Sequence, residues 1–158
     1  MNDPKRKTIR LQNYDYSSNG AYFVTICTQD HTRYFWDSNT PQLNRSGEMV
    51  LSWAKELPKH FSGVYLDSYA VMPNHVHLVL FFKDTAAALT TAIGWFKTMA
   101  TNAYIRGVKD GVFPPFQKRL WQRSYYEHVI RNQNDLTEIR RYVAENPLKW
   151  QLDKLYKE

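Results

Sequence analysis

Apolar and polar positions alternate along the chain in short, contrasting stretches. Gly20 to Asp30 is β-branched and aromatic and is entered through the Ser17-Ser18-Asn19-Gly20 turn, which predicts a first strand. His31 to Asn44 is polar, contains Pro41 and keeps no period, so it reads as a loop. From Ser46 to about Phe61 the residues Met49, Val50, Trp53, Ala54 and Leu57 recur at helical spacing, and Pro58 should distort or end the last turn. Two further strands follow, Val64 to Met72 and His75 to Lys83, joined by a tight Pro73-Asn74 turn. A second amphipathic helix, Thr90 to about Arg106, carries Ile93, Phe96, Met99, Ala100 and Tyr104, with Lys97 on its polar side. Gly107 to Lys118 is a loop containing Gly111 and Pro114-Pro115, and Leu120 to Ile130 is the fourth predicted strand. Asn132 can cap a final helix, with Asp135 at its third position.

The order β-α-β-β-α-β followed by a helix predicts an α+β fold. It is the ferredoxin-like split βαβ arrangement, an antiparallel sheet with two helices on one face and a C-terminal helix added. That order serves many unrelated activities and decides none of them. The length of 158 residues suits one domain over 1–158, with a basic arm over 1–13 and a short tail over 151–158.

The net charge of +6 favours a polyanionic partner, although solubility alone accounts for a charge of this size. The single cysteine, Cys27, excludes an internal disulfide and a cysteine-rich zinc site, and its apolar surroundings suit a small core residue. No apolar run approaches the roughly 18 to 20 residues that span a membrane. No hydrophobic segment follows Met1-Asn2-Asp3-Pro4-Lys5-Arg6-Lys7 that could serve as a signal peptide, so the expected location is cytoplasmic.

The chemistry concentrates in Pro73-Asn74-His75-Val76-His77-Leu78-Val79-Leu80. On a strand, residues two apart share a face, which holds the two imidazoles roughly 6 to 7 Å apart at the backbone, a spacing that suits one divalent metal. Packing alone is the plainer reading of two strand histidines. A histidine-triad hydrolase needs a third alternating histidine, and position 79 is valine. A two-histidine phosphodiesterase needs two separate His-x-Ser/Thr repeats, which His31, His60 and His128 do not supply.

A third ligand and a reacting group must then come from elsewhere. In the last helix Leu136, Ile139 and Val143 form an apolar stripe, Asn146 lies at its edge and Tyr142 about 40° further round. A phenol and an amide oxygen are thereby offered to one site, a turn apart. Tyr142 is also readable as a boundary aromatic, and Asn146 before Pro147 as the N-cap of a short following helix.

Three segments taken in order resemble a known family: Pro73-Asn74-His75-Val76-His77, Leu120-Trp121-Gln122-Arg123-Ser124-Tyr125-Tyr126-Glu127-His128, and Tyr142-Val143-Ala144-Glu145-Asn146-Pro147. They are similar to the single-tyrosine HUH transposases, and within these to the REP-associated tyrosine transposases, over about Tyr14 to Trp150. The resemblance implies a nuclease that cuts and rejoins single-stranded DNA near imperfect hairpins. It implies that His75 and His77 hold Mg²⁺ or Mn²⁺, that Tyr142 is the nucleophile forming a 5′-phosphotyrosine, and that Asn146 occupies the third ligand position. Related insertion-sequence transposases carry Gln there, and some of them work as homodimers that exchange tyrosine helices.

Arg140 and Arg141 adjoin the nucleophile and are candidate DNA contacts, as are Lys118, Arg119 and Arg123 among Trp121, Tyr125 and Tyr126. Lys97 and the arm from Lys5 to Arg10 are further phosphate candidates, and Tyr14 and Tyr16 either stack on bases or pack the entry to the first strand. Solvated helix faces and core aromatics are the plainer readings of these groups. Two other functions compete: a module that binds hairpin DNA or RNA without cutting it, and a metal-dependent phosphodiesterase in which Tyr142 is structural.

Overall fold

The computed structural model describes residues 19–156, so the basic arm, Tyr14 and Tyr16 lie outside the described residues. Its elements are β1 (Asn19–Cys27), α1 (Arg45–His60), β2 (Val64–Met72), β3 (His75–Lys83), α2 (Leu89–Lys109), β4 (Tyr126–Val129) and α3 (Gln133–Glu145). A 3₁₀ segment, Asn146–Leu152, continues directly from α3. The sheet order is β2-β3-β1-β4, and all three pairings are antiparallel. The fold is the expected ferredoxin-like arrangement with a C-terminal helix.

Local interactions set the ends of the elements, at Pro58, Asn132 and Asp135 as expected and at Asn44 and Gly63 in addition. The Asn44 side chain accepts from the Gly47 backbone N–H at 2.9 Å and starts α1. Pro58 lies within α1, which ends two residues later at His60. The Asn132 side chain accepts from the Asp135 N–H at 2.8 Å, and the Asp135 carboxylate accepts from the Arg131 N–H, so the start of α3 is doubly capped. Gly63 turns the chain from α1 into β2 with φ +84, where a side chain would meet the Lys83 carbonyl.

β4 is much shorter than the predicted strand over Leu120 to Ile130. Leu120 and Trp121 are buried without joining the ladder, and Trp121 packs between Phe35 and Phe96 at ring distances of 5.6 and 5.9 Å. The segment touches β1 through a single bridge between Thr28 and Trp121, with the Gln122 N–H donating to the Cys27 carbonyl. These apolar residues fill the core around the end of the sheet rather than pairing with a strand.

Both faces of the central strands are dry. Val76, Leu78 and Leu80 are fully buried and join Val50, Ala54 and Leu57 of α1 and Ile93 and Phe96 of α2 in one cluster. His75, His77 and Val79 alternate with them onto the other face, where α3 lies. Burying that face needs the last helix and the segment after it. No helix among the described residues is long and apolar enough to cross a membrane.

Candidate active site

The register of the sheet builds the centre of the site. Thr25 of β1 stands opposite His77, and Cys27 opposite His75, so both imidazoles project from the middle of the sheet near one end. The rings lie 4.7 Å apart, and both residues are buried. His77 Nδ1 is 2.9 Å from the Thr25 hydroxyl, and His75 Nδ1 donates to the Asn74 side-chain oxygen at 2.7 Å. With Nδ1 occupied in each ring, Nε2 is the free nitrogen, and in neither case does it have a hydrogen-bond partner. That is the arrangement expected of metal-ligating histidines, whose second nitrogen is held by a neighbouring oxygen.

Asn146 and Tyr142 come to the same place from α3. Asn146 is buried with helical backbone angles and makes no side-chain cap, so it is not the N-cap of the 3₁₀ segment, and its side-chain oxygen has no partner. The Tyr142 ring meets those of Phe23 and His77 edge-on, with centroids 6.0 and 5.5 Å away. Its outer edge is open to solvent. Burial, and after it the charge of Asp153, raises the Tyr142 phenol above its ordinary pKa, while the Asn146 amide pulls it down. His77 is held well below the usual imidazole pKa, first by burial and then by the neighbouring His75. A neutral ring with a free lone pair is the form that binds a cation.

The fourth group at this point is Asp153, which lies in the predicted tail and carries no sequence signal. Its Oδ1 accepts from the Leu155 N–H at 2.8 Å, and its Oδ2 lies 3.5 Å from His75 Nε2 without a hydrogen bond. Burial alone would raise its pKa, but the His75 contact and the Leu155 N–H outweigh that and lower it. Donor atoms of His75, His77 and Asp153 all lie within 4.8 Å of one another. Asn74 ties this segment down, since its amide nitrogen donates to the Leu155 carbonyl at 2.8 Å as its oxygen holds His75.

A cavity of about 660 Å³ opens beside the cluster, lined by Phe23, Tyr142, Asn146, Asp153, Lys149 and Lys154 among others. Asn146 and Asp153 border both this space and the imidazoles behind it. The cavity is large enough for a nucleotide unit and carries two lysines at its rim.

Comparison with known proteins follows the same lines. A family model described as "Transposase IS200 like" matches residues 21–146. The chain belongs to the IS200-like transposase family. An uncharacterized Haemophilus influenzae protein is 32% identical over 96% of this chain and 93% of its own length. A second protein of that organism, a candidate REP-associated tyrosine transposase, is 26% identical over 88% of this chain and 77% of its own. Among solved structures, a REP-associated tyrosine transposase bound to a REP hairpin superposes with a TM-score of 0.62 at 19% identity, covering 89% of this chain and 74% of that one. A candidate transposase from Deinococcus radiodurans gives 0.55 at 15% identity over 87% and 97%. These two structures agree with the fold.

Within this transposase the expected DNA contacts are distributed unevenly. The guanidinium of Arg140 is engaged with Asp67 through two bonds of 2.9 and 2.6 Å, which ties α3 to β2. Asp67 is the extra residue where the β2–β3 register shifts between Leu66 and Ser68, and such a bulge re-aims a side chain. Lys97 donates to the Gln122 carbonyl at 2.6 Å and the Arg123 carbonyl at 3.3 Å, which pins the segment before β4. Of the aromatics there, Trp121 is core, Tyr125 is half-buried and Tyr126 is exposed. Arg141, Lys118 and Arg123 are exposed and Arg119 is half-buried. Gln29 donates to the Leu120 carbonyl and Gln122 to that of Cys27, so the basic segment lies at the sheet end that carries His75.

Proposed function

We propose that this transposase cuts and rejoins single-stranded DNA near hairpins, with Tyr142 as the nucleophile. The observation that carries the proposal is the placement of the Tyr142 ring against His77 of the same chain, with Asn146 one turn further along. His75, His77 and Asn146 are the residues that would hold Mg²⁺ or Mn²⁺, and their unpartnered buried donor atoms fit such an ion. The bound ion would polarise the scissile phosphate and offset the charge developing on it.

The rest of the chemistry belongs to the chain. The Tyr142 phenol gives up its proton and its oxygen attacks phosphorus in line. The bond from phosphorus to O3′ breaks, and O3′ takes its electron pair and a proton to become a free 3′-hydroxyl. DNA is left attached to Tyr142 through its 5′ phosphate. Because one phosphodiester replaces another, a later 3′-hydroxyl can attack and release Tyr142 with little change in free energy. Thr25 and Asn74 keep the imidazoles oriented, and Phe23 packs against the edge of the nucleophile.

The solved relative bound to a REP hairpin supports a folded single strand as substrate. Arg141, Lys118, Arg119 and Arg123 are the side chains proposed to meet its phosphates, and the cytoplasm is where such a substrate is met. Contact of Tyr142 with its own His77 supports action within one chain, so a homodimer is not required. The proposed functional unit is a single domain. Incubation with Mn²⁺ and a hairpin-bearing single strand tests the proposal. It should yield a protein–DNA adduct that survives a denaturing gel. Cleavage without an adduct would indicate the phosphodiesterase, and binding without cleavage the recognition module.

A further inference from the structure

We infer that Asp153 is an additional ligand of the metal held by His75 and His77, so that cation binding also fastens the segment after the tyrosine helix. The inference rests on the proposed metal-dependent reading of the site and adds a residue to it. Nε2 of His75, Nε2 of His77 and Oδ2 of Asp153 are buried without partners in three residues whose ligand atoms lie within 4.8 Å of one another, and Oδ1 of Asn146, which neighbours His77, is buried without a partner too. With Nδ1 of each ring held by a neighbouring oxygen, all four can act as acceptors. Buried polar atoms are nearly always satisfied, and four orphans converging on one place call for a shared electrophile.

An ion pair between Asp153 and a protonated His75 is the competing explanation. It satisfies only two of the four atoms, and at 3.5 Å the contact is too long for a good hydrogen bond. His77 Nε2 and Asn146 Oδ1 would then have only each other, and no hydrogen bond of good geometry joins them. A divalent cation satisfies all four. The spread of the His75, His77 and Asp153 donors, at most 4.8 Å, is comparable with the about 4 to 5 Å across one cation's ligand shell.

Charge gives an independent reason. Two imidazoles and an amide are neutral, whereas hard cations such as Mg²⁺ and Mn²⁺ prefer oxygen ligands that include a carboxylate. The Asp153 carboxylate supplies that charge from a side chain only 2% exposed. Its aim is fixed from both sides: the Leu155 N–H holds Oδ1, and the Leu155 carbonyl is held by Asn74, which also orients His75. One ligand's support is thus the other ligand's anchor.

Mn²⁺ titration of the full chain without DNA tests the inference, followed by calorimetry or by the electron paramagnetic resonance of free Mn²⁺. Asp153→Asn keeps the size of the side chain and should weaken binding by roughly tenfold or more, and His75→Ala should weaken it further. Equal affinity of the wild type and Asp153→Asn, within twofold, overturns the role of Asp153 but leaves the histidine site intact. Absence of Mn²⁺ binding in the wild type overturns the metal reading as a whole. A second measurement needs no variant. Trypsin cleavage after the exposed Lys154 should slow at least fivefold on adding Mn²⁺, and an unchanged rate counts against the fastening of this segment.

Discussion

Arg140 and Asp67 form a two-toothed ion pair that fastens the tyrosine helix to the edge strand β2 of its own sheet. Arg140 lies two residues before Tyr142 in the same helix, so the pair helps to set where the phenol sits relative to His77. The pairing gives Arg140 a structural task.

A pH-dependent contribution to stability follows. The hydrogen bond from Arg140 is the main cause of a lowered Asp67 pKa. A carboxylate depressed in the folded state adds stability above its unfolded pKa of about 3.9, and that stability is lost as pH falls through the folded value. Asp67→Asn should therefore lower the Tm at pH 7, by the equivalent of about 1 kcal/mol or less because Arg140 is exposed. The difference from the wild type should close below about pH 4. Thermal melts across that range check it, and a gap that persists undiminished at pH 3 would contradict it.

Much of the fold was legible because local chemistry and tertiary packing agree. Asn132 and Pro58 mark helix ends through interactions a few residues long, and β3 is apolar on both faces because both are covered. The fourth strand was overextended because Leu120 and Trp121 have strand-like side chains but are buried as plugs in the core. Lys97 reads as a free cation on a helix face, yet its ammonium crosses to two carbonyls about 25 residues away. His75, His77, Tyr142 and Asn146 were legible as a set. Asp153 was not, because only the turn after Asn146 returns it to the sheet.

Lys97→Met separates a structural from an electrostatic role. Removing an ammonium that satisfies two carbonyls should cost about 1 to 3 kcal/mol of stability and loosen the segment around Gln122. The salt dependence of DNA binding should hardly change. A slope smaller by about one unit with no loss of Tm would instead make Lys97 a phosphate contact.

Salt should act strongly through the exposed cations. Affinity for a hairpin strand should fall steeply between low and moderate salt, as it does when several phosphates are neutralised. Arg123→Ala and Arg141→Ala should each reduce the logarithmic slope by about one unit with little effect on Tm. Slopes equal to that of the wild type would remove both residues from the DNA surface.

Thr25 tests the orientation of the proposed ligands. Thr25→Val removes the hydroxyl beside His77 Nδ1, so nothing holds the proton of the neutral ring there rather than on Nε2, the nitrogen that faces the cluster. Mn²⁺ affinity should drop roughly 10- to 100-fold, and Thr25→Ser should restore most of it. Wild-type affinity in Thr25→Val would show that the hydroxyl does not orient the ring.

The most direct measurement is to find the residue that carries the DNA. The protein is incubated with Mn²⁺ and a hairpin-bearing single strand, the adduct is trimmed with nuclease and protease, and the nucleotide-bearing peptide is sequenced by mass spectrometry. The expected peptide starts at Tyr142, after Arg141, with the nucleotide on the tyrosine, and Tyr142→Phe should give no adduct. An adduct on another residue, or one that persists in Tyr142→Phe, would contradict it.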